Sequence, residues 1–349
     1  MPSAVARLVK SGDVVEIDAG LYEGDVAVWR ADDLVIRAVG GRAHLRAGGL
    51  HAEGKAIWVI KGTRVTVENI ELSGARVPDG NGAGIRYEGL RLTLRACHLH
   101  DNENGILTTL DPRSEVVIEY SEFANNGAGD GRTHNIYAGG GRFELRHSYV
   151  HHARVGHNVK SRARETYVLY SRIMDEDDGT ASYAIDLPNG GRAFVIGNLI
   201  QQGPRTSNSV IVSYGAEGLM KAPNELHVVN NTVVNDRSEG GTFVDVRGTP
   251  ARAALRNNIF AGRGVVLRGP GELVRNLSGI EPGLLNREGF DYRLRGDSPA
   301  IDAGVDPGIV HGFSLAPTAQ YRHPANGEPR ASIGPPDLGA HEYQGSRGR

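Results

Sequence analysis

VVIEYSEF (116–123), FELRHSYV (143–150) and YVLYSRI (167–173) are three copies of one pattern, and this pattern decides the fold. Each copy has a short apolar strand, then a polar or small residue, one variable residue and a final apolar residue. Further copies lie on both sides, at VTVENIEL (65–72), LTLRACHL (92–99), FVIGNLI (194–200), LHVVNNTV (226–233) and ALRNNIF (254–260). A motif that recurs at a near-constant period indicates a solenoid, in which each coil contacts only its neighbours.

Aligning the copies places one residue of each in a common column, whose members are Ile70, Cys97, Ser121, Ser148, Ser171, Asn198, Asn231 and Asn258. Successive members differ in sequence position by 27, 24, 27, 23, 27, 33 and 27. Apolar residues alternate with a period of two inside each coil, which indicates strands joined by turns rather than helices. The sequence therefore predicts an all-β, right-handed parallel β-helix, with the Ser/Asn column hydrogen-bonded along the stack at a turn.

The chain is predicted to be a single domain of 349 residues. Residues 1–65 are expected to form an N-terminal cap and the first coils, and residues 66–290 the regular coils. Residues 291–349 are expected to form an irregular C-terminal tail that packs on the β-helix. The 48 glycines agree with a fold that contains many tight turns.

Charge and hydropathy exclude several classes of partner. A net charge of −2 without long runs of like charge argues against nucleic acid. The chain contains no apolar run of about 18 residues, which a membrane span would need. The start, MPSAVARLVKSGD, lacks the apolar core of a signal peptide, so a periplasmic or secreted location is expected with the signal outside the given sequence, and a cytoplasmic one stays open. The oligomeric state also stays open.

A second column predicts a functional groove. If the apolar residues of HNIYAGG, HNVKSRA, YAIDLPNGG and IVSYG point inward, their following neighbours point outward, one coil (about 4.8 Å) apart. These neighbours, which we call the groove column, are Tyr137, Lys160, Asp186 and Ser213. Other residues expected near the groove are Asn135, Asn158, His134, His157, Arg132, Arg162, Arg192 and Tyr214, with Glu217 at its far end.

These residue types suit the cleavage of a uronate-containing polysaccharide by β-elimination. The reaction removes a weakly acidic proton beside a carboxylate, and cations must neutralise the charge that develops. Lys160 is the candidate base and Arg162 the candidate carboxylate ligand. Tyr137 or a histidine, such as His157, is the candidate proton donor.

At these positions the sequence resembles polysaccharide lyases of the parallel β-helix group that includes alginate lyases and chondroitinase B. The resemblance rests on NVKSRA (158–163), VIGNLI (195–200) and VVNNTVV (228–234), and on the closing motifs SPAIDAG (298–304) and DLGAHEY (337–343). It implies that Lys160 is the catalytic base. The partner arginine of the family would fall near Asp186, which leaves Arg162 or Arg192 as its substitute. Several members of the group use Ca²⁺, so calcium is left open as a cofactor.

Other interpretations of the same residues stay open. Asp186 and another carboxylate form the acid/base pair of a glycoside hydrolase in one alternative, and in another the chain is a non-catalytic, adhesin-like glycan-binding protein. The metal, if any, is unknown. The histidines His147, His151, His152 and His157 lack a zinc motif. The acidic run 175–178 is expected to be a solvated turn that could also hold calcium.

Overall fold

The structure, a computed structural model, describes residues 1–220, 223–249, 251–331 and 333–345. It confirms the predicted architecture, a right-handed parallel β-helix with almost no helix. The pairing registers reproduce the spacings predicted from the sequence. Leu145 pairs with Val168 across the shortest spacing of the column, and Val195 pairs with Val228 across the longest.

The chain begins with α1 (Pro2–Val5), and strands follow in every coil. The N-terminal strands are β1 Val14–Glu23, β2 Ala27–Trp29, β3 Leu34–Arg46, β4 Ala56–Ile60, β5 Arg64–Glu68, β6 Ile70–Ser73, β7 Ala83–Tyr87, β8 Arg91–Arg95, β9 His98–His100, β10 Asn104–Thr108, β11 Glu115–Glu119 and β12 Glu122–Ala124. The central strands are β13 Ile136–Ala138, β14 Arg142–Arg146, β15 Tyr149–His151, β16 Val159–Ser161, β17 Glu165–Leu169, β18 Arg172–Met174, β19 Ile185–Leu187, β20 Arg192–Ile196, β21 Leu199–Gln202, β22 Val210–Tyr214, β23 Glu225–Val229 and β24 Thr232–Asn235. The last strands are β25 Thr242–Val246, β26 Arg252–Arg256, β27 Ile259–Gly262, β28 Val265–Arg268, β29 Glu272–Val274, β30 Leu277–Gly279, β31 Leu284–Asn286, β32 Asp291–Leu294, β33 Ile309–Val310, β34 Phe313–Ser314, β35 Ala319–Arg322 and β36 Asn326–Pro329.

The strands of the coils form two parallel sheets. Within the described residues, ten strands make the smaller sheet: β2, β4, β7, β10, β13, β16, β19, β22, β25 and β28. The larger sheet contains β1 and β3 and, from β5 onwards, two strands from each coil. A sharp corner separates these two strands within the coil. The inward side chains of both sheets fill one continuous apolar core along the solenoid axis.

The predicted Ser/Asn column lies at this corner and is confirmed as a structural ladder. The backbone N–H of Ser171 donates to Asn198 Oδ1 at 2.9 Å, and that of Asn198 donates to Asn231 Oδ1 at 2.9 Å. The same bond links successive coils from Cys97 to Asn276. In each coil the residue before the column has a positive φ, for example 50° at Tyr170, so the chain turns sharply there.

A second buried ladder lies at another corner. Asn126 Nδ2 donates to Asn135 Oδ1 at 2.8 Å, Asn135 Nδ2 donates to Asn158 Oδ1 at 2.8 Å, and Asn158 Nδ2 donates to Asp175 Oδ1 at 3.2 Å. Asp175 is only 1% exposed, and burial raises its pKa to about 7. The expectation that all of 175–178 is a solvated turn is therefore wrong for Asp175, because its carboxyl group completes this ladder.

The C-terminal residues form antiparallel pairs, β31 with β32, β33 with β34 and β35 with β36, instead of further coils. They contact the coils through the positive-φ corner residues: Asn230 Nδ2 donates to the Asp337 carbonyl at 2.9 Å, and Asn257 Nδ2 donates to that of Val305. None of the helices in the described ranges is long and apolar enough to cross a bilayer.

We expect Asn231→Ala to lower the free energy of unfolding by about 2 to 5 kcal/mol, measured by chemical or thermal denaturation. The side-chain oxygen of Asn231 accepts two hydrogen bonds from Asn198, and each buried donor left without a partner costs about 1–3 kcal/mol. Asn81→Ala is the control, because Asn81 is exposed and lies outside both ladders; a change of less than about 0.5 kcal/mol is expected there. Equal stability of the two variants would contradict the structural role of the ladder.

Candidate functional site

The groove column lies on the ten-stranded sheet in the predicted register. Tyr137 pairs with Lys160, Lys160 with Asp186, and Asp186 with Ser213. The preceding residues are fully buried in the core, as the alternation predicts, and they are Ile136, Val159, Ile185 and Val212. This arrangement brings four polar side chains together over four consecutive coils.

Lys160 lies between two carboxylates. Its Nζ is 3.5 Å from Asp186 Oδ2 and 3.4 Å from Glu217 Oε1. The same nitrogen lies 5.5 Å from the centre of the Tyr137 ring. The side chain of Lys160 is only 10% exposed, so it is mostly covered by its neighbours although it points away from the core.

Arg162 follows Lys160 by two residues and its side chain joins the same site, as predicted. Its Nη2 lies 2.6 Å from Glu217 Oε2, and its Nε donates to the Tyr137 hydroxyl at 2.7 Å. A further N–H of the guanidinium donates to Asn189 Oδ1. Arg162 and Lys160 thus hold the two oxygens of one carboxylate, that of Glu217, whose side chain is 48% exposed.

The two carboxylates beside Lys160 differ in pKa. Burial raises the pKa of Asp186 to about 6, although the charge of Lys160 and a hydrogen bond from Ser213 act in the opposite direction. Burial also acts to raise the pKa of Glu217, but the hydrogen bond from Arg162 and the charge of Lys160 outweigh it. The pKa of Glu217 therefore lies below its usual value.

His134 and His157 stack beside the groove column, with ring centres 4.4 Å apart. His134 Nδ1 accepts the backbone N–H of His157 at 3.0 Å, and His157 Nε2 lies 3.5 Å from Asp186 Oδ2. Burial is the main cause that lowers the pKa of His134 to about 3 and that of His157 to about 2, and the charges of Lys160 and Arg162 lower both further. Both rings are therefore neutral at pH 7.

Three predicted binding residues do not reach the groove. Asn135 and Asn158 are fully buried because their amides belong to the interior ladder. Tyr214 points into the core, where its hydroxyl donates to the Gly191 carbonyl. The alternation explains Tyr214, since it is one residue beyond the outward Ser213.

Arg192 and Arg132, the other two arginines predicted near the groove, lie outside the group of contacts around Lys160 and Glu217. Arg192 is the first residue of β20 in the larger sheet, where it forms 2.8 Å ion pairs with Glu165 and Glu225. It lines a separate surface cavity of about 610 Å³. Arg132 is exposed on the loop before β13, and its backbone N–H donates to Asp130 Oδ1 at 2.9 Å. The prediction that Arg192 lines the groove is wrong, because the chain turns the corner before this residue.

Asn189 and Tyr183 complete the site, and the sequence alone did not point to them; the contact of Glu217 with both cations was also missed. The loop after β22 is fixed to the loop after β19, since the Glu217 N–H donates to the Pro188 carbonyl at 2.9 Å. Tyr183 packs against His157 with ring centres 4.8 Å apart. The sequence does offer one indication of these contacts: the loops that contain Asn189 and Glu217 directly follow the strands that carry Asp186 and Ser213.

Comparisons with known proteins show what the chain is similar to. The family model described as a right handed beta helix region matches residues 50–173. The solved structure of pectate lyase Pel9A is similar over 97% of this chain and 90% of that one, with a TM-score of 0.62 and 13% identity. An alginate lyase from Paenibacillus sp. str. FPU-7 is similar over 79% of this chain and 95% of that one, with a TM-score of 0.50 and 15% identity. No curated protein matches the chain. At these identities the likeness is one of fold.

We expect Asp186→Asn to stabilise the protein above pH 6 and to change little below pH 4. An aspartate whose pKa is raised by folding binds its proton more tightly in the folded state, so stability is lost as the pH rises from about 4 through 6. Removing the ionisable group should therefore raise the free energy of unfolding at pH 7.5 by about 1–3 kcal/mol, measured by thermal denaturation across this pH range.

Asp245→Asn is the matched control, since Asp245 lies two coils beyond Asp186 in the same outward column and is equally buried. Burial acts to raise its pKa, but hydrogen bonds from Arg268 and Arg247 outweigh this and lower it. This variant should be destabilised at pH 7.5. A loss of stability in both variants would contradict the assigned environment of Asp186.

Proposed function

We propose that the chain is a polysaccharide lyase that cleaves an acidic, uronate-containing polysaccharide by β-elimination. One observation carries the proposal: Arg162 and Lys160 together hold a single carboxylate at the surface of the groove, through contacts of 2.6 and 3.4 Å to its two oxygens. That carboxylate belongs to Glu217, on a surface loop. A uronate carboxylate in its place would meet the same two cations.

The bound carboxylate defines where the reaction occurs. Its negative charge grows as the proton on the adjacent carbon is removed, and Arg162 neutralises this charge in a partly desolvated setting. Lys160 Nζ lies beside the carboxylate position and therefore close to that carbon. To act as the base, Lys160 must first pass its ammonium proton to water, after which its amine accepts the proton from that carbon; the electrons of the C–H bond form the new double bond, and the C–O bond to the leaving sugar breaks.

Tyr137 is the best-placed donor for the leaving oxygen. Its hydroxyl already accepts a hydrogen bond from Arg162 Nε, so its own proton is free to point into the groove. His157 is less suitable for this role, because its lowered pKa keeps the ring neutral and a neutral imidazole is a weak acid. In the proposed reaction, Arg162 binds the substrate carboxylate, Lys160 is the base and Tyr137 is the acid.

The comparisons are consistent with this proposal, but at 13–15% identity they support only the fold. Pectate lyase Pel9A and the Paenibacillus alginate lyase act on acidic polysaccharides by their names, and both share the fold of this chain. An enzyme that degrades a polymer of this kind is expected in the periplasm or outside the cell.

A glycoside hydrolase is the second candidate, and the different pKa values of two neighbouring carboxylates favour it. Asp186 and Glu217 each have an oxygen within 3.5 Å of Lys160 Nζ, so these oxygens are at most about 7 Å apart. Paired carboxylates of hydrolases are separated by about 5–9.5 Å. The raised pKa of Asp186 would suit a general acid and the lowered pKa of Glu217 a base or nucleophile.

We expect Lys160→Met to reduce β-elimination at least about 100-fold, because general-base catalysis contributes factors of this size or more. The assay follows the ultraviolet absorbance of the unsaturated ends formed from polygalacturonate, alginate and a glycosaminoglycan. Lys61→Met is the matched control, since Lys61 also contacts two carboxylates but lies at the end of β4 near Glu53. Thermal denaturation checks that both variants fold.

New reducing ends without absorbance, lost in Asp186→Asn but retained in Lys160→Met, would overturn the lyase in favour of the hydrolase. Absence of both signals on every polymer in the panel would favour the glycan-binding alternative.

We expect Glu217→Gln to lower KM for a polyuronate several-fold while kcat changes little. The native glutamate competes with the substrate carboxylate for Arg162 and Lys160, and a neutral amide competes less well. Steady-state kinetics on the polymer that is cleaved best would measure this. A fall of kcat by more than about 100-fold would instead identify Glu217 as a catalytic carboxylate.

A further inference from the structure

A cluster of histidines and glutamates lies on the larger sheet, on strands that contribute nothing to the groove. His44 on β3 pairs in register with Glu71 on β6, and Glu71 pairs with His98 on β9. His100 lies two residues beyond His98 and therefore on the same face. Among the residues that the structure describes, His44, Glu71 and His100 each offer a ligand atom, and all three atoms lie within 4.8 Å of one another.

The three side chains converge on one oxygen. His44 Nδ1 lies 3.2 Å from Glu71 Oε1, and His100 Nε2 also lies 3.2 Å from Glu71 Oε1. Ligand atoms in a tetrahedral shell around Zn²⁺, with bonds of about 2.0–2.1 Å, are separated by about 3.4 Å. Two of the three distances between ligand atoms are therefore already close to those found around a bound metal ion.

The outer nitrogens of both rings are occupied. His44 Nε2 lies 2.7 Å from Ser73 Oγ, and His100 Nδ1 lies 2.8 Å from Asp101 Oδ2. Histidine ligands of metals usually donate their second N–H to such an acceptor, which fixes the tautomer and turns the lone pair of the inner nitrogen towards the metal.

His100 supplies the independent argument for a cation. Both of its ring nitrogens face carboxylate oxygens, but a neutral imidazole has only one N–H. If Nδ1 donates to Asp101, the lone pair of Nε2 faces the negatively charged Glu71. This contact is repulsive, and a metal ion between the two groups would accept a lone pair from each.

The second oxygen of Glu71 faces a different pair of side chains. Arg42 Nη1 lies 3.9 Å from Glu71 Oε2, and His98 Nδ1 lies 4.0 Å from it. Oε1 is the oxygen that lies closer to His44 and His100. The ligand side chains are 19–27% exposed, so solvent can fill the remaining coordination positions.

We propose that His44, Glu71 and His100 bind a divalent first-row transition-metal ion, with Zn²⁺ as the probe. Two imidazoles and one carboxylate suit ions of this class better than Ca²⁺ or Mg²⁺, which prefer oxygen ligands. The three ligands come from three successive coils, so the ion ties the N-terminal coils together. The site is independent of the proposed lyase activity.

The test uses the full-length protein, freed of metal by a chelator and then titrated with Zn²⁺ by calorimetry and by competition with a chromophoric chelator. We expect one equivalent of Zn²⁺ to bind and to raise the melting temperature, because the ion binds the folded state only. His100→Gln and Glu71→Gln should each weaken binding at least about tenfold, while the melting temperatures of the metal-free variants stay close to that of the wild type.

His151→Gln is the matched control. His151 lies in the same column of the larger sheet as His100, two coils further on, and also contacts a glutamate, Glu122, at 3.2 Å. Zn²⁺ affinity should be unchanged in this variant. The proposal is overturned if the wild type binds no Zn²⁺ at 100-fold molar excess. It is equally overturned if His151→Gln loses as much affinity as His100→Gln.

Discussion

The hydrogen bond from a backbone N–H to the side-chain oxygen of the next coil is the interaction on which this solenoid depends. At the corner of the larger sheet the chain turns through a residue with positive φ, and the N–H that follows has no strand partner there. Asn198, Asn231 and Asn258 supply the missing acceptor, coil after coil, at 2.9 Å. Because the oxygen must come from the adjacent coil, the ladder fixes the stacking of the coils as well as the turn.

The groove follows from this stacking. The coils are unequal in length and differ in their loops, but the strands of the ten-stranded sheet keep one register, so Tyr137, Lys160 and Asp186 line up without a helix or a disulfide to place them. The extra chain length goes into the loops, and the loop after β22 brings Glu217 back over the column. A regular scaffold with irregular loops thus separates the residues that set the geometry from those that adjust the electrostatics.

Charge distribution distinguishes the two sheets. On the smaller sheet, Lys160 lies between the carboxylates of Asp186 and Glu217, whose pKa values differ, and Arg162 contacts that of Glu217. On the larger sheet, His44 and His100 converge on Glu71 with their outer nitrogens occupied, which suits a fixed ion. Both sites arise from parallel pairing, which repeats every side chain about 4.8 Å further along the axis and so brings residues distant in sequence into contact.

The sequence by itself determined the β-helix, the coil period, the Ser/Asn ladder and the groove column, because strand pairing and inward–outward alternation are periodic and can be counted. It misplaced Asn135, Asn158 and Arg192, whose environment depends on where each corner falls, and it assigned Tyr214 to the groove although the alternation directs that side chain into the core. Only the tertiary structure showed that Glu217 joins Lys160 and Arg162, and that His100 meets Glu71 diagonally across two strands. The physical reason is that the backbone register is repeated in every coil, whereas contacts made by loops and by diagonal side chains depend on the three-dimensional path of each individual coil.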